Sequence, residues 1–138
     1  YTVRLATTPE ELERFLKPLS DAGVDIFHCS QRRFWEPEFE GSDLNLAGWT
    51  QKITGKPAIT VGSVGLDAEF TPKPGEATFR EAEPASLDEL LRRMDAKQFD
   101  LVAVGRALIS NPAWVDMVQG ERHEELKPFR KEHLAELI

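Results

Sequence analysis

The chain alternates amphipathic stripes with three short apolar runs, two of which stop at glycine. Such alternation calls for parallel strands joined by crossover helices, because the chain must return to the same end of the sheet before each new strand begins. The runs are residues 24–30, 57–64 and 101–104. The second lies in Pro57-Ala-Ile-Thr-Val-Gly-Ser-Val-Gly65. The third opens Leu101-Val-Ala-Val-Gly-Arg-Ala-Leu-Ile-Ser-Asn-Pro112. In the second and third, β-branched and apolar residues that stop at glycine mark buried parallel strands. The expected class is α/β, in the order α, then β-α-β-α-β-α.

The helices carry their own punctuation. Thr8 can cap a first helix, Pro9 suits its first position, and Glu11 completes a capping box. Leu12, Phe15, Leu16 and Leu19 follow at helical spacing, and Gly23 ends the run. Asp43 is expected to cap a second helix with Leu46, Trp49, Thr50 and Ile53 on one face and Gly55 past its end. Ser86 and Glu89 form another box, with Leu87, Leu90, Leu91 and Met94 as the buried stripe. Asn111-Pro112 starts a helix bearing Trp114, Val115 and Val118, closed by Gly120. Residues 129–138 read as a last amphipathic helix, a packing element or a partner-binding one. Residues 31–42 form a polar, aromatic loop. Residues 67–85, with Pro72, Pro74, Gly75 and Pro84, have the composition and length of a functional or mobile loop.

A length of 138 residues fits one domain. The net charge of −7 offers no basic stripe for nucleic acid. No apolar run is long enough to cross a membrane. Cys29 is the only cysteine, which excludes an intrachain disulfide and fits a cytoplasmic, reducing compartment. It reads as a small buried residue. His28 lies in an apolar strand and reads as a hydrogen-bonded core histidine. His123 and His133 read as surface helix residues. No spacing of His, Asp or Glu argues for a metal. The chain begins at Tyr1 without a signal-peptide pattern, so it reads as a fragment or processed product. Three strands leave both sheet edges open. A (β/α)8 barrel takes roughly 250 residues, so the chain could supply only the last three strand–helix units of one.

Two adjacent strands that end in glycine, with an arginine after the second, suit a phosphate. Glycine lets backbone N–H groups approach an anion, and arginine offers a planar fork of donors. The candidates are Gly62, Ser63 and Val64 after one strand, and Gly105 and Arg106 after the other. Each has a plainer reading. Gly62 and Gly105 can be tight turns, Ser63 a local cap, and Arg106 a structural partner of a loop carboxylate such as Asp67.

At Gly105-Arg106 followed by Ala-Leu-Ile-Ser-Asn-Pro-Ala-Trp, and at Thr60-Val-Gly-Ser-Val, the sequence resembles the old yellow enzyme family. Val24-Asp-Ile-Phe-His-Cys-Ser30 is similar to the family's preceding strand, and residues 49–56 to its connecting helix. The resemblance covers essentially the whole chain but only the C-terminal third or so of a family member. It implies an FMN-dependent NAD(P)H oxidoreductase built on a (β/α)8 barrel, in which NAD(P)H reduces FMN and reduced FMN passes hydride to a small activated alkene. It implies that Gly62, Ser63, Val64, Gly105 and Arg106 hold the FMN phosphate. The loop bearing Arg32, Arg33, Phe34 and Trp35 could wall the substrate side of the flavin or be packed by its own aromatics. The family's substrate-carbonyl donors and proton donor lie on earlier strands and map to no residue here. The isolated chain is therefore expected to be inactive, and to pair with the missing barrel portion or with itself. Two other readings stay open: another phosphate-binding barrel enzyme, and a stand-alone half-barrel assembly module.

Overall fold

The computed structural model describes residues 4–71 and 80–135. The chain packs as two compact units. The first comprises Tyr1–Gly62 and Asp88–Ala103, the second Ser63–Leu87 and Val104–Ile138.

The first unit is mixed α/β. Helix α1 (Pro9–Asp21) starts as its sequence requires. The Thr8 hydroxyl accepts from the Glu11 N–H at 3.2 Å. Glu11 reaches one residue further back than a capping box predicts, accepting from the backbone and hydroxyl of Thr7. Leu12 and Leu16 are buried, while Phe15 and Leu19 of the same stripe stay exposed.

Strands β1 (Phe27–Ser30), β2 (Ala58–Val61) and β3 (Leu101–Val102) form an open three-stranded sheet in the order β1-β2-β3, all parallel. Each strand is shorter than its apolar run. β2 stops at Val61 because Gly62 (φ 142°) and Ser63 (φ 52°) leave the extended region. Phe27 and Cys29 are buried, and His28 and Ser30 are exposed. His28 is thus not a core histidine: the strand has one covered face, and the period of two puts His28 on the other.

Helix α2 (Leu46–Thr54) is capped by Asn45, not Asp43. Asn45 is fully buried. Its Oδ1 accepts from Gly48, and its amide donates to the Phe34 carbonyl and to Thr60 Oγ1. An aspartate has no N–H to give those two acceptors. Gly55 closes α2 in the left-handed conformation, as expected. Helix α3 (Asp88–Asp95) departs from its predicted stripe. Leu87 (the last residue of a second-unit segment) and Leu90 are buried, but Leu91 is exposed and Arg93 takes a buried position instead.

Asp43, freed from capping, joins a network around Arg93. That guanidinium donates to Glu89, to the Asp43 carbonyl and carboxylate, to Gln98 Oε1 and to the Trp35 carbonyl. Asp43 also accepts from Gln98 and Arg92. The loop after β1 is pinned through its backbone to α3.

In the second unit the chain from Ser63 runs into antiparallel bridges, Leu66 with Pro84 and Ala82 with Phe129. Residues 72–79 of the predicted long loop, including Pro72, Pro74 and Gly75, lie outside the described residues. A short helix, α4 (Arg106–Ser110), precedes α5 (Trp114–Gln119). Asn111 does not cap α5. Its amide donates to the Ala107 and Lys127 carbonyls, and its Oδ1 accepts from the Lys127 N–H. The predicted last helix is a 3-10 turn at Lys131–Leu134, and residues 136–138 lie outside the described residues. His133 is half-buried there, its Nδ1 2.9 Å from Ser110 Oγ, and is not a free surface residue. Among the described residues no helix is long and apolar enough to cross a membrane.

Candidate anion site around Arg106

Arg106 opens α4, and Gly105 is its N-cap residue. The side chain is half-buried. Its Nη2 donates to the Ala68 carbonyl at 2.6 Å and to Ser63 Oγ at 3.3 Å. Ser63 in turn donates to the same Ala68 carbonyl at 3.1 Å. The guanidinium carbon lies 5.7 Å from the Phe70 ring centroid and 5.4 Å from that of Phe129. Those rings meet edge to face at 6.2 Å. Cation–π contacts of this kind strengthen as water is removed.

The remaining terminal nitrogen, Nη1, is buried and has no hydrogen-bond partner. A charge-bearing donor in that condition is costly and rare in native structures. Burial lowers the Arg106 pKa from its ordinary value, while the charges of Glu69 and Asp67 oppose the shift. Neither carboxylate bonds to the guanidinium. Glu69 pairs with Arg80 at 3.1 Å, and Asp67 Oδ1 accepts from the Glu83 N–H at 2.9 Å. The structural pairing of Arg106 with Asp67 is therefore not formed. Arg106 holds neutral oxygens through Nη2, while its Nη1 is buried without a hydrogen-bond partner.

The other predicted residues divide. Ser63 meets Arg106 and orients it, and its positive φ marks the strained turn that puts it there. Val64 is buried, its side chain a packing element. Gly105 is exposed, and a Cβ built on it would meet nothing within 4 Å, so its backbone can be approached closely. Gly62 belongs to the first unit, where its missing side chain serves the chain's own backbone. A Cβ there would lie 2.5 Å from the Gln31 carbonyl oxygen.

Phe70, Phe129 and the Ala68 carbonyl are parts of this site that sequence reasoning missed. Phe129 is fully buried and enters through its bridge to Ala82, a pairing across 47 residues with no local signature. The chain matches no family model and no curated protein.

Proposed function

We propose that this chain is the phosphate-anchoring, C-terminal part of an FMN-dependent NAD(P)H oxidoreductase of the old yellow enzyme type, its strands the last three of a (β/α)8 barrel. The observation that carries the reading is the buried, unpartnered Nη1 of Arg106. An anion's oxygen would complete it with a charge-assisted hydrogen bond. The open approach over Gly105 supports the same use. The parallel sheet and its alternation with helices are consistent with a barrel segment.

FMN would supply the hydride chemistry, from NAD(P)H to a small activated alkene. This chain's residues would bind and orient. Arg106 would grip the phosphate, Ser63 and the Ala68 carbonyl would hold the fork in plane, and Phe70 and Phe129 would keep water from it. Gly62 and Val64 would place the turn. No residue here is assigned a proton or hydride, so the chain alone is expected to show no turnover beyond that of free flavin.

Calorimetric titration of the full chain with FMN, riboflavin and inorganic phosphate tests the assignment. FMN is expected to bind at least about tenfold tighter than riboflavin, since that ratio is only 1.4 kcal/mol. Equal affinities, or no binding of either flavin, would overturn it.

A further inference from the structure

We infer that the cavity beside Trp114 in the second unit binds a small, uncharged ring compound through one carbonyl oxygen. The inference stands on the second unit alone and does not depend on flavin binding.

The cavity encloses about 300 Å³, the lower end of the range for small-molecule sites. Its described lining residues all belong to the second unit. Gly65, Leu87 and Trp114 are the buried part of the lining, Pro84 and Leu126 are half-buried, and the exposed Glu124 stands at the mouth. Trp114 is 7% exposed, and its Nε1 is buried with no hydrogen-bond partner. A buried indole N–H ordinarily finds an acceptor. Gly65 shows where this one lies. A Cβ built there would stand 3.2 Å from Trp114 Cζ2 and 3.4 Å from Nε1, so the N–H edge of the ring borders the space that the glycine leaves. The Gly65 carbonyl is already taken, accepting from the Ala85 N–H at 3.0 Å.

The chemistry of this lining selects the occupant. The indole N–H is a donor only, so the occupant must bring a lone pair. The other polar side chains among the described lining residues, Ser86, His123 and Glu124, are exposed, so no side chain at depth accepts a hydrogen. A hydroxyl would leave its own O–H unpaired there, whereas a carbonyl carries no hydrogen. A water meets the same deficit, since it needs about two to four polar partners. A carboxylate would bring a charge that one N–H does not offset, past the like charge of Glu124. A neutral carbonyl on a flat apolar body meets every condition, its ring packing against Pro84, Leu87 and Leu126. Shielded from bulk water, its bond to Nε1 has no solvent competitor.

The probe is acetophenone, titrated into the isotopically labelled full chain. Ethylbenzene lacks the carbonyl, 1-phenylethanol adds a hydrogen, and benzoate adds a charge. The chain has three tryptophans, so Trp35→Phe and Trp49→Phe assign the Trp114 indole N–H by elimination. Acetophenone is expected to move the Trp114 resonance downfield to saturation while the other two stay nearly still. Each of the three matched compounds should bind about threefold or more weaker, within the range of one hydrogen bond. Trp114→Phe keeps an aromatic ring and removes the donor, so it should bring acetophenone down to the affinity of ethylbenzene. Should that variant fail to fold, the matched compounds on the unaltered chain decide alone. An unmoved Trp114 resonance, equal affinity for acetophenone and ethylbenzene, or tighter binding of the alcohol or benzoate would overturn the proposal. So would magnetisation transfer from water to the Trp114 N–H that saturating acetophenone does not remove, since water would then hold the donor.

Discussion

Arg93 and Asp43 lie fifty residues apart and are joined twice: Arg93 Nη1 donates to the Asp43 carbonyl at 2.7 Å, and Nη2 to its carboxylate at 3.2 Å. The guanidinium is 3% exposed, and its other bonds reach Glu89, Gln98 and Trp35. Replacing it removes the donor from the buried Gln98 oxygen and from the Asp43 and Trp35 carbonyls at once, while the two carboxylates stay open to water. Arg93→Ala should destabilise the first unit by about 1–3 kcal/mol, since a buried side chain and its backbone and Gln98 hydrogen bonds are lost together while the exposed carboxylates are resolvated. Arg93→Lys should recover only part, because a single ammonium cannot span both loop and helix. Urea denaturation gives the size. Faster amide exchange across residues 31–44 than across α1 would locate the damage.

Acid should erode the same network. The Glu89 carboxyl is held at about 2, first by the hydrogen bond from Arg92 and then by that from Arg93. Asp43 is lowered too, first by Gln98 and then by Arg92. Because the folded pKa values lie below the unfolded ones, the unfolded chain takes up protons first. The stabilisation is therefore complete above about pH 4.5 and is lost as pH falls towards 2. Both carboxylates are substantially exposed, so salt screens the effect. Melting temperatures from pH 7 down to pH 3 should fall on the acid side. Glu89→Gln should flatten that limb, and an unaltered slope would contradict the assignment.

Gly62→Ala tests the turn after β2 without touching charge. The new methyl would collide with the Gln31 carbonyl, and φ of 142° is poorly tolerated by a side chain. Both causes are backbone, so relaxation is limited. The expected loss is about 2–4 kcal/mol of stability, measured in urea. A neutral result would mean that β1 and β2 can part at this point.

Arg106 variants separate binding from folding. Charge-assisted bonds contribute roughly 1.5–3 kcal/mol each, so Arg106→Ala should weaken FMN by about tenfold or more. Riboflavin, which lacks the phosphate, should change little. Arg106→Lys should recover only part of the FMN loss. Stability of the ligand-free chain should fall by less than the two-partner geometry alone would suggest, because the substitution also removes the unsatisfied Nη1. Equal losses for both flavins would assign Arg106 to the fold instead.

What could be read in advance was whatever neighbours in sequence decide. Thr8 and Pro9 fix the start of α1, and Gly55 fixes the end of α2, through contacts within a few residues. The parallel order followed from alternation. Asp43 and Asn45 were equally good caps on local grounds. Arg93, far along the chain, claims the first, and the carbonyl of Phe34 with the hydroxyl of Thr60 requires the amide of the second. Strand faces were legible only in part: Phe27, His28, Cys29 and Ser30 alternate as one covered face requires, whereas the unbroken run of β2 does not say which of its residues are buried. Ser63 and Arg106 were singled out because the residues themselves carry the chemistry. Phe129 was not, because only the bridge to Ala82 brings it to the guanidinium.

Cys29 gives the first unit a built-in clock. It is the chain's single thiol, 6% exposed and hydrogen-bonded to Thr50, and burial raises its pKa. An alkylating reagent needs an accessible thiolate, so it must wait for β1 or the α2 helix above it to open. The rate of mass gain then measures how often that happens. If opening and closing are fast, it returns the free energy of the event. One atom of sulfur thus converts a breathing motion of the sheet edge into a covalent record.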